Sequence, residues 1–145
     1  MTINILQAAK QNWYDYKELF PFIVQIGTGG TGGYLVQHIA QLLGTSKQRA
    51  GYVIADPDVL EAKNLGNQLF LENEVGLKKA DVLASRYSAA YGLDIGSYSD
   101  SFIEDAKMLR KLFSTEYMDT NINHSTTLIL PIVIGCVDNN CVTRS

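Results

Sequence analysis

At 145 residues, with 46% hydrophobic and 19% charged side chains, the chain suits one soluble globular domain with a real core. A formal net charge of -3 and scattered Lys and Arg exclude the basic field that non-specific nucleic-acid binding needs. The N-terminus lacks a charged region followed by an apolar core, and no apolar run approaches the ~18 residues that span a bilayer, so no membrane segment and a cytoplasmic setting are expected. Cys136, Cys141, His38 and His124 make neither a disulfide framework nor a zinc knuckle.

In chain order, Ile5, Ala9, Trp13, Tyr16 and Phe20 recur at helical spacing, which predicts an N-terminal helix over residues 1–20 closed by Pro21. Such a helix either covers the sheet or packs on a partner subunit. Residues 21–145 then read as a nucleotide-binding domain. Phe22 to Ile26 is an apolar strand that runs into Gly27-Thr28-Gly29-Gly30-Thr31-Gly32, and a helical pattern follows to a stop at Gly44. Gly27, Gly29 and Gly32 satisfy G-x-G-x-x-G. In that motif the first glycine permits the turn, the second lets backbone approach a phosphate, and the third lets helix pack on strand. Phosphate would sit on the free N–H groups at the helix start.

Gly51 to Ala55 is a second β-rich run, ending in Asp56. Asp56 follows Gly32 at close to the ~20-residue spacing of an acidic residue that bonds ribose hydroxyls; its bland alternative is a turn cap. Pro57 to Gly76 is a long polar loop with one helical turn expected at Leu71 to Val75, and loops of this length inside a domain are usually functional. Lys78 to Tyr91 predicts a second helix ended by Gly92, and Asp94 to Tyr98 a weak strand. Ile103 to Phe113 predicts a third helix, with Ser101 and Glu104 as its capping box. Leu128 to Ile134 is an apolar strand whose Pro131 marks a strand entry or an edge. The alternation means an α/β fold: a Rossmann-like, mostly parallel sheet with helices on both faces, preceded by the N-terminal helix. Asp56 and Asp138 both stand at strand C-termini, the edge where open α/β sheets bind ligands.

Five blocks in order raise a resemblance. Gly27 to Gly32, Asp56-Pro57-Asp58-Val59, Asn64-Leu65-Gly66-Asn67-Gln68, Gly76-Leu77-Lys78-Lys79-Ala80 and Cys136-Val137-Asp138-Asn139 together resemble the ubiquitin-activating-enzyme superfamily of the ThiF/MoeB/HesA type, over about residues 23–139. The resemblance implies adenylation of the C-terminal carboxylate of a ubiquitin-like or sulfur-carrier protein or peptide, with ATP and Mg2+, by a homodimer. By the same resemblance, Gly27, Gly29, Gly30 and Gly32 hold phosphates and Asp56 bonds ribose. Asn64 and Gln68 line the site, Lys79 contacts phosphate and Asp138 holds magnesium, leaving Lys79 and Asp138 as the catalytic pair. Asp58 and Glu61 are either site residues or solvated loop charges, and Lys78 reads as an exposed helix-start lysine.

Two departures from the family stand out. Asn67 occupies an arginine position, and no arginine precedes Arg49; neither asparagine nor lysine replaces a bidentate guanidinium. The chain also ends at Ser145, soon after Asp138, so the resemblance implies the N-terminal half of such a protein. The other readings are a nucleotide-binding module without turnover and an NAD-dependent oxidoreductase, the latter leaving Lys79 and the Asn64 to Gln68 block unexplained.

Overall fold

The computed structural model describes residues 16–46, 48–114 and 122–137. Strands β1 (Glu18–Ile26), β2 (Gly51–Ala55), β3 (Ile95–Tyr98) and β4 (Thr127–Gly135) alternate with helices α1 (Gly30–Thr45), α2 (Lys79–Tyr91) and α3 (Ala106–Leu112). The strands form one parallel sheet in the order β3-β2-β1-β4, with Val24 of β1 opposite Val53 and Val133. This is the Rossmann-like arrangement that the alternation implied. The chain winds outward from β1 to β3 and then returns to β1's other side, leaving a switch point between β1 and β4.

Period two along β1 sorts the core into two layers. Ile23 joins Tyr52 and Ile54 of β2 beneath Val36 and Ala40 of α1 and Leu83 and Tyr87 of α2. On the opposite face, Phe20, Phe22, Val24, Val53 and Ala55 pack with Leu112 of α3 and Ile122. All five residues of β2 are buried, as a strand covered on both faces requires.

The expected N-terminal helix does not extend over residues 16–20. Glu18 to Phe20 belong to β1, paired with Thr127 to Ile129, while residues 1–15 lie outside those described. Phe20 satisfied a helical step from Tyr16, but it also stands two residues from Phe22 and four from Val24. Those three side chains are fully buried on one face. Burying each is worth roughly 1.5–3 kcal/mol, against tenths of a kcal/mol per residue in helix propensity, so the strand period wins. Pro21 is tolerated because β1 has β4 but not yet β2 opposite it at that point. Pro131 likewise sits in the edge strand of the described sheet.

Other boundaries shift by a few residues. Gly44 lies inside α1, which ends at Thr45 with Ser46 as its C-cap; a Cβ on Gly44 would stand 2.8 Å from Cβ of Tyr91, so the glycine serves packing of α1 on α2. Gly92 does end α2 in the left-handed conformation, at φ +63°. Asp105 caps α3, accepting from Met108 N–H at 2.7 Å, whereas Ser101 meets the Tyr98 hydroxyl at 2.8 Å, so the expected box at Ser101 and Glu104 does not form. The long loop carries a 3-10 turn at Glu72–Glu74, near the expected one, and another at Ala62–Asn64.

Candidate functional site

A cavity of about 280 Å³ opens above the C-terminal ends of β1, β2 and β4, at the switch point. Gly27, Gly29, Gly30 and Thr31 form one wall, and Asp56, Pro57 and Asp58 another. Ile26, Ala55, Phe102, Ile103 and Val137 supply apolar surface. The three motif glycines have separate physical reasons. Gly27 holds φ at +96°, and a Cβ there would lie 2.5 Å from the carbonyl oxygen of Cys136. A Cβ on Gly32 would lie 2.4 Å from the Gly27 carbonyl oxygen, so only glycine lets α1 approach β1 this closely. At Gly29 a Cβ would meet nothing within 4 Å among the described residues, leaving open space beside the first turn of α1. The first N–H groups of that sixteen-residue helix have no carbonyl in their own helix to bond, and its dipole adds partial positive charge there.

Asp56 is buried, and its carboxylate braces the turn. Oδ2 accepts from Thr28 N–H at 2.7 Å and from the Thr28 hydroxyl at 2.6 Å, while Oδ1 accepts from Asp58 N–H at 2.9 Å. Three donors leave about one of the carboxylate's four lone-pair sites for a further ligand. Asp58 is half exposed on the cavity rim, and its Oδ2 lies 3.7 Å from Lys79 Nζ. Lys79 opens α2 and is buried at 6% exposure; it stands behind Asp58 and does not line the cavity. Lys78 is half buried, not exposed as expected, because its ammonium donates to the Pro57 carbonyl at 2.7 Å and closes the loop.

Asn64 and Gln68 do not line the cavity either. The Asn64 side-chain oxygen accepts from Glu61 N–H at 3.0 Å within the loop turn, and Gln68 Oε1 is buried with no hydrogen-bond partner among the described residues. The Asn67 carbonyl oxygen would lie 4.0 Å from a Cβ on Gly30, so this loop does approach the glycine turn. Arg86 of α2 holds the loop in place. It bonds the Leu69 carbonyl and both carboxylate oxygens of Glu74, and its guanidinium lies over the Phe70 ring. Glu61 pairs with Lys63 at 2.9 Å on an exposed surface, as a solvated charge does. His38 is exposed on α1, and Asp138 lies outside the described residues, as does the metal role assigned to it. Among the described residues no group of three His, Cys, Asp or Glu could hold a metal ion, and no helix is long and apolar enough to cross a membrane.

Sequence reasoning missed Gln25 and Tyr52. Gln25 is fully buried and donates through Nε2 to the carbonyls of Gly27 at 3.0 Å and Gly32 at 2.9 Å, while Oε1 accepts from the Tyr52 hydroxyl. The available signal was a lone amide inside an apolar strand two residues before the glycine cluster. Ser101, Phe102 and Ile103 were also missed as cavity residues, because a period search credits the segment to a helix. Burial pushes the Cys136 thiol above its ordinary range, which makes it a neutral wall of the cavity.

No protein-family model matches the chain, and no curated protein is detectably similar to it in sequence. Among solved structures, the fold is similar to that of Escherichia coli MccB. A crystal structure of MccB with SeMet MccA matches at 30% identity and a TM-score of 0.46, over 62% of this chain and 26% of MccB. MccB with ATP matches at 22% identity and 0.49, and MccB with MccA-N7isoASN at 26% and 0.46, each over 73% of this chain and 28% of MccB. The chain therefore spans about a quarter of the length of the MccB chains it matches.

Proposed function

We propose that the cavity above the β1–α1 turn binds the phosphates of ATP. We propose further that this domain serves adenylation of the C-terminal carboxylate of a ubiquitin-like or sulfur-carrier protein or a peptide. The observation that best supports the reading is the convergence of distant blocks on one sheet edge. The glycine turn, Asp56, Asp58 and Cys136 line one cavity, Lys79 reaches Asp58, and the Asn67 carbonyl approaches Gly30. Open space at Gly29 beside the start of α1 suits an anion, and the apolar surface of Ile26, Ala55, Phe102 and Ile103 suits a base.

In the reaction, a carboxylate oxygen of the carrier bonds to the α-phosphorus as the bond from that phosphorus to the pyrophosphate oxygen breaks. Charge grows on the departing pyrophosphate, and preorganised donors and cations aimed at it lower the barrier. Lys79 and a magnesium ion on Asp138 are the groups assigned to that charge. The cation matters because the lining carries the carboxylates of Asp56 and Asp58 and, among the described residues, no Lys or Arg. We further propose that two copies of the chain associate, which light scattering would test.

Specific observations favour a second reading, nucleotide binding without turnover. Asn67 stands at an arginine position, and Lys79 lies behind Asp58 and off the cavity wall. Calorimetry with magnesium-ATP and with NAD, followed by ATP–pyrophosphate exchange with a carrier or peptide, separates the readings. Binding with exchange supports adenylation, and binding without it supports the module. Preference for NAD would overturn both.

A further inference from the structure

We infer that Gln25 is a positioning residue for the phosphate-binding turn, held in place by Tyr52. The inference rests on the reading that the turn binds phosphate. An amide with 0% exposure inside a packed sheet is costly unless its polar atoms are paired, and the space at position 25 lies on the same face as the apolar Ile23. Gln25 is fully paired in one direction only. Its two N–H donors go to the carbonyls of Gly27 and Gly32, at 3.0 and 2.9 Å, which are the first and third glycines of the motif. One side chain therefore ties the end of β1 to the first turn of α1. Turning the amide over would set Oε1 against two carbonyl oxygens, so the pairing itself fixes the orientation.

The Gly27–Thr28 peptide is gripped from both edges. Its carbonyl oxygen accepts from Gln25, and its N–H donates to Asp56 Oδ2 at 2.7 Å. Because a peptide unit is planar, two anchors on opposite edges set the plane's orientation. The direction of that plane sets where the next amides, at Gly29 and at the start of α1, point into the cavity. The Tyr52 hydroxyl completes the arrangement from β2 by donating to Gln25 Oε1. Burial first, and nearby Cys136 second, push the Tyr52 phenol far above its ordinary range, so the hydroxyl keeps its proton at any working pH. Donors held before the ligand arrives need no reordering when it binds.

The test compares wild type, Gln25→Leu and Tyr52→Phe for affinity toward magnesium-ATP and adenosine, with folding followed by circular dichroism and urea melts. Loss of a purely structural contact would weaken both ligands alike. Loss of turn positioning should weaken ATP roughly three- to tenfold in Gln25→Leu while adenosine changes less than about twofold, the range set by one or two hydrogen bonds. Tyr52→Phe should show a smaller loss with the same preference for ATP. If Gln25→Leu does not fold, Tyr52→Phe decides by the same ratio. An unchanged ratio of ATP to adenosine affinity in the folded variants overturns the inference and leaves the nucleotide reading intact. Failure of wild type to bind ATP overturns both.

Discussion

Alanine at Gly32 should cost stability, whereas alanine at Gly29 should leave stability nearly unchanged and weaken ATP. A methyl group on Gly32 would meet the Gly27 carbonyl oxygen at 2.4 Å and its carbon at 3.0 Å, and these are backbone atoms that cannot swing aside. Forced overpacking of this kind costs about 1–3 kcal/mol, which lowers Tm by roughly 3–12 °C for a domain of this size. At Gly29, φ is -61° and the new methyl enters open space, so nothing among the described residues opposes it. There, reduced freedom of the unfolded chain contributes ~0.4–1 kcal/mol, and alanine's poorer capping offsets a similar amount. Tm of Gly29→Ala should stay within about 3 °C of wild type. Its methyl nevertheless stands where phosphate would approach backbone N–H groups. Losing one charge-assisted contact of ~1.5–3 kcal/mol weakens magnesium-ATP about tenfold or more. Differential scanning calorimetry and titration calorimetry read the two quantities separately. Wild-type ATP affinity in Gly29→Ala would refute the assignment of the turn to phosphate, and an unchanged Tm in Gly32→Ala would refute the packing argument.

Lys79→Ala, with Asp58→Asn as its control for loss of the 3.7 Å pair, should weaken magnesium-ATP about tenfold by equilibrium dialysis; a folded variant with wild-type affinity removes Lys79 from the site. Burial raises the Glu74 carboxyl, but the Arg86 hydrogen bond, the Leu71 N–H and the Arg86 charge outweigh it and hold the group below its ordinary 4.5. Its stabilisation is therefore present above that value and lost as pH falls through the lower folded one. Glu74→Gln should show a flatter acid decline in urea midpoint, and equal declines would count against this. Asn67→Arg should raise ATP–pyrophosphate exchange by about tenfold or more, because a guanidinium at a transferring phosphate acts on transition-state charge; no gain would show that position 67 does not limit exchange.

Much of the fold was legible because its signals are local and redundant. Gly51 to Ala55 reads as a strand because five apolar residues meet a polar break on each side, and the strand occupies those residues. Gly92 reads as a stop because no other residue type adopts φ +63° so cheaply. Phe20 failed for a different reason: one side chain satisfied two periods, and only the pairing with β4, more than a hundred residues away, decides between them. The α3 cap failed similarly, since Ser101 and Asp105 both offer a side-chain acceptor and Tyr98 claims the former. Of the site, the glycines and Asp56 were readable from motif spacing. Gln25 was not, because its partners are main-chain carbonyls, which every residue possesses and no sequence pattern marks.

The distribution of those contacts separates binding from chemistry. Among the described residues, the side-chain hydrogen bonds that shape the turn lie within residues 25–58: Gln25 to Gly27 and Gly32, Asp56 to Thr28 and Asp58, and Tyr52 to Gln25. The positions assigned to developing charge, Asn67, Lys79 and Asp138, lie elsewhere in the chain, and neither the Asn67 nor the Lys79 side chain makes one of these bonds. The identity of the side chain at position 67 therefore leaves those bonds untouched. A ground state held by backbone N–H groups would keep its affinity, while a transition state that needs a guanidinium would lose rate. ATP affinity without exchange is thus the outcome this division of labour favours for the chain as it stands.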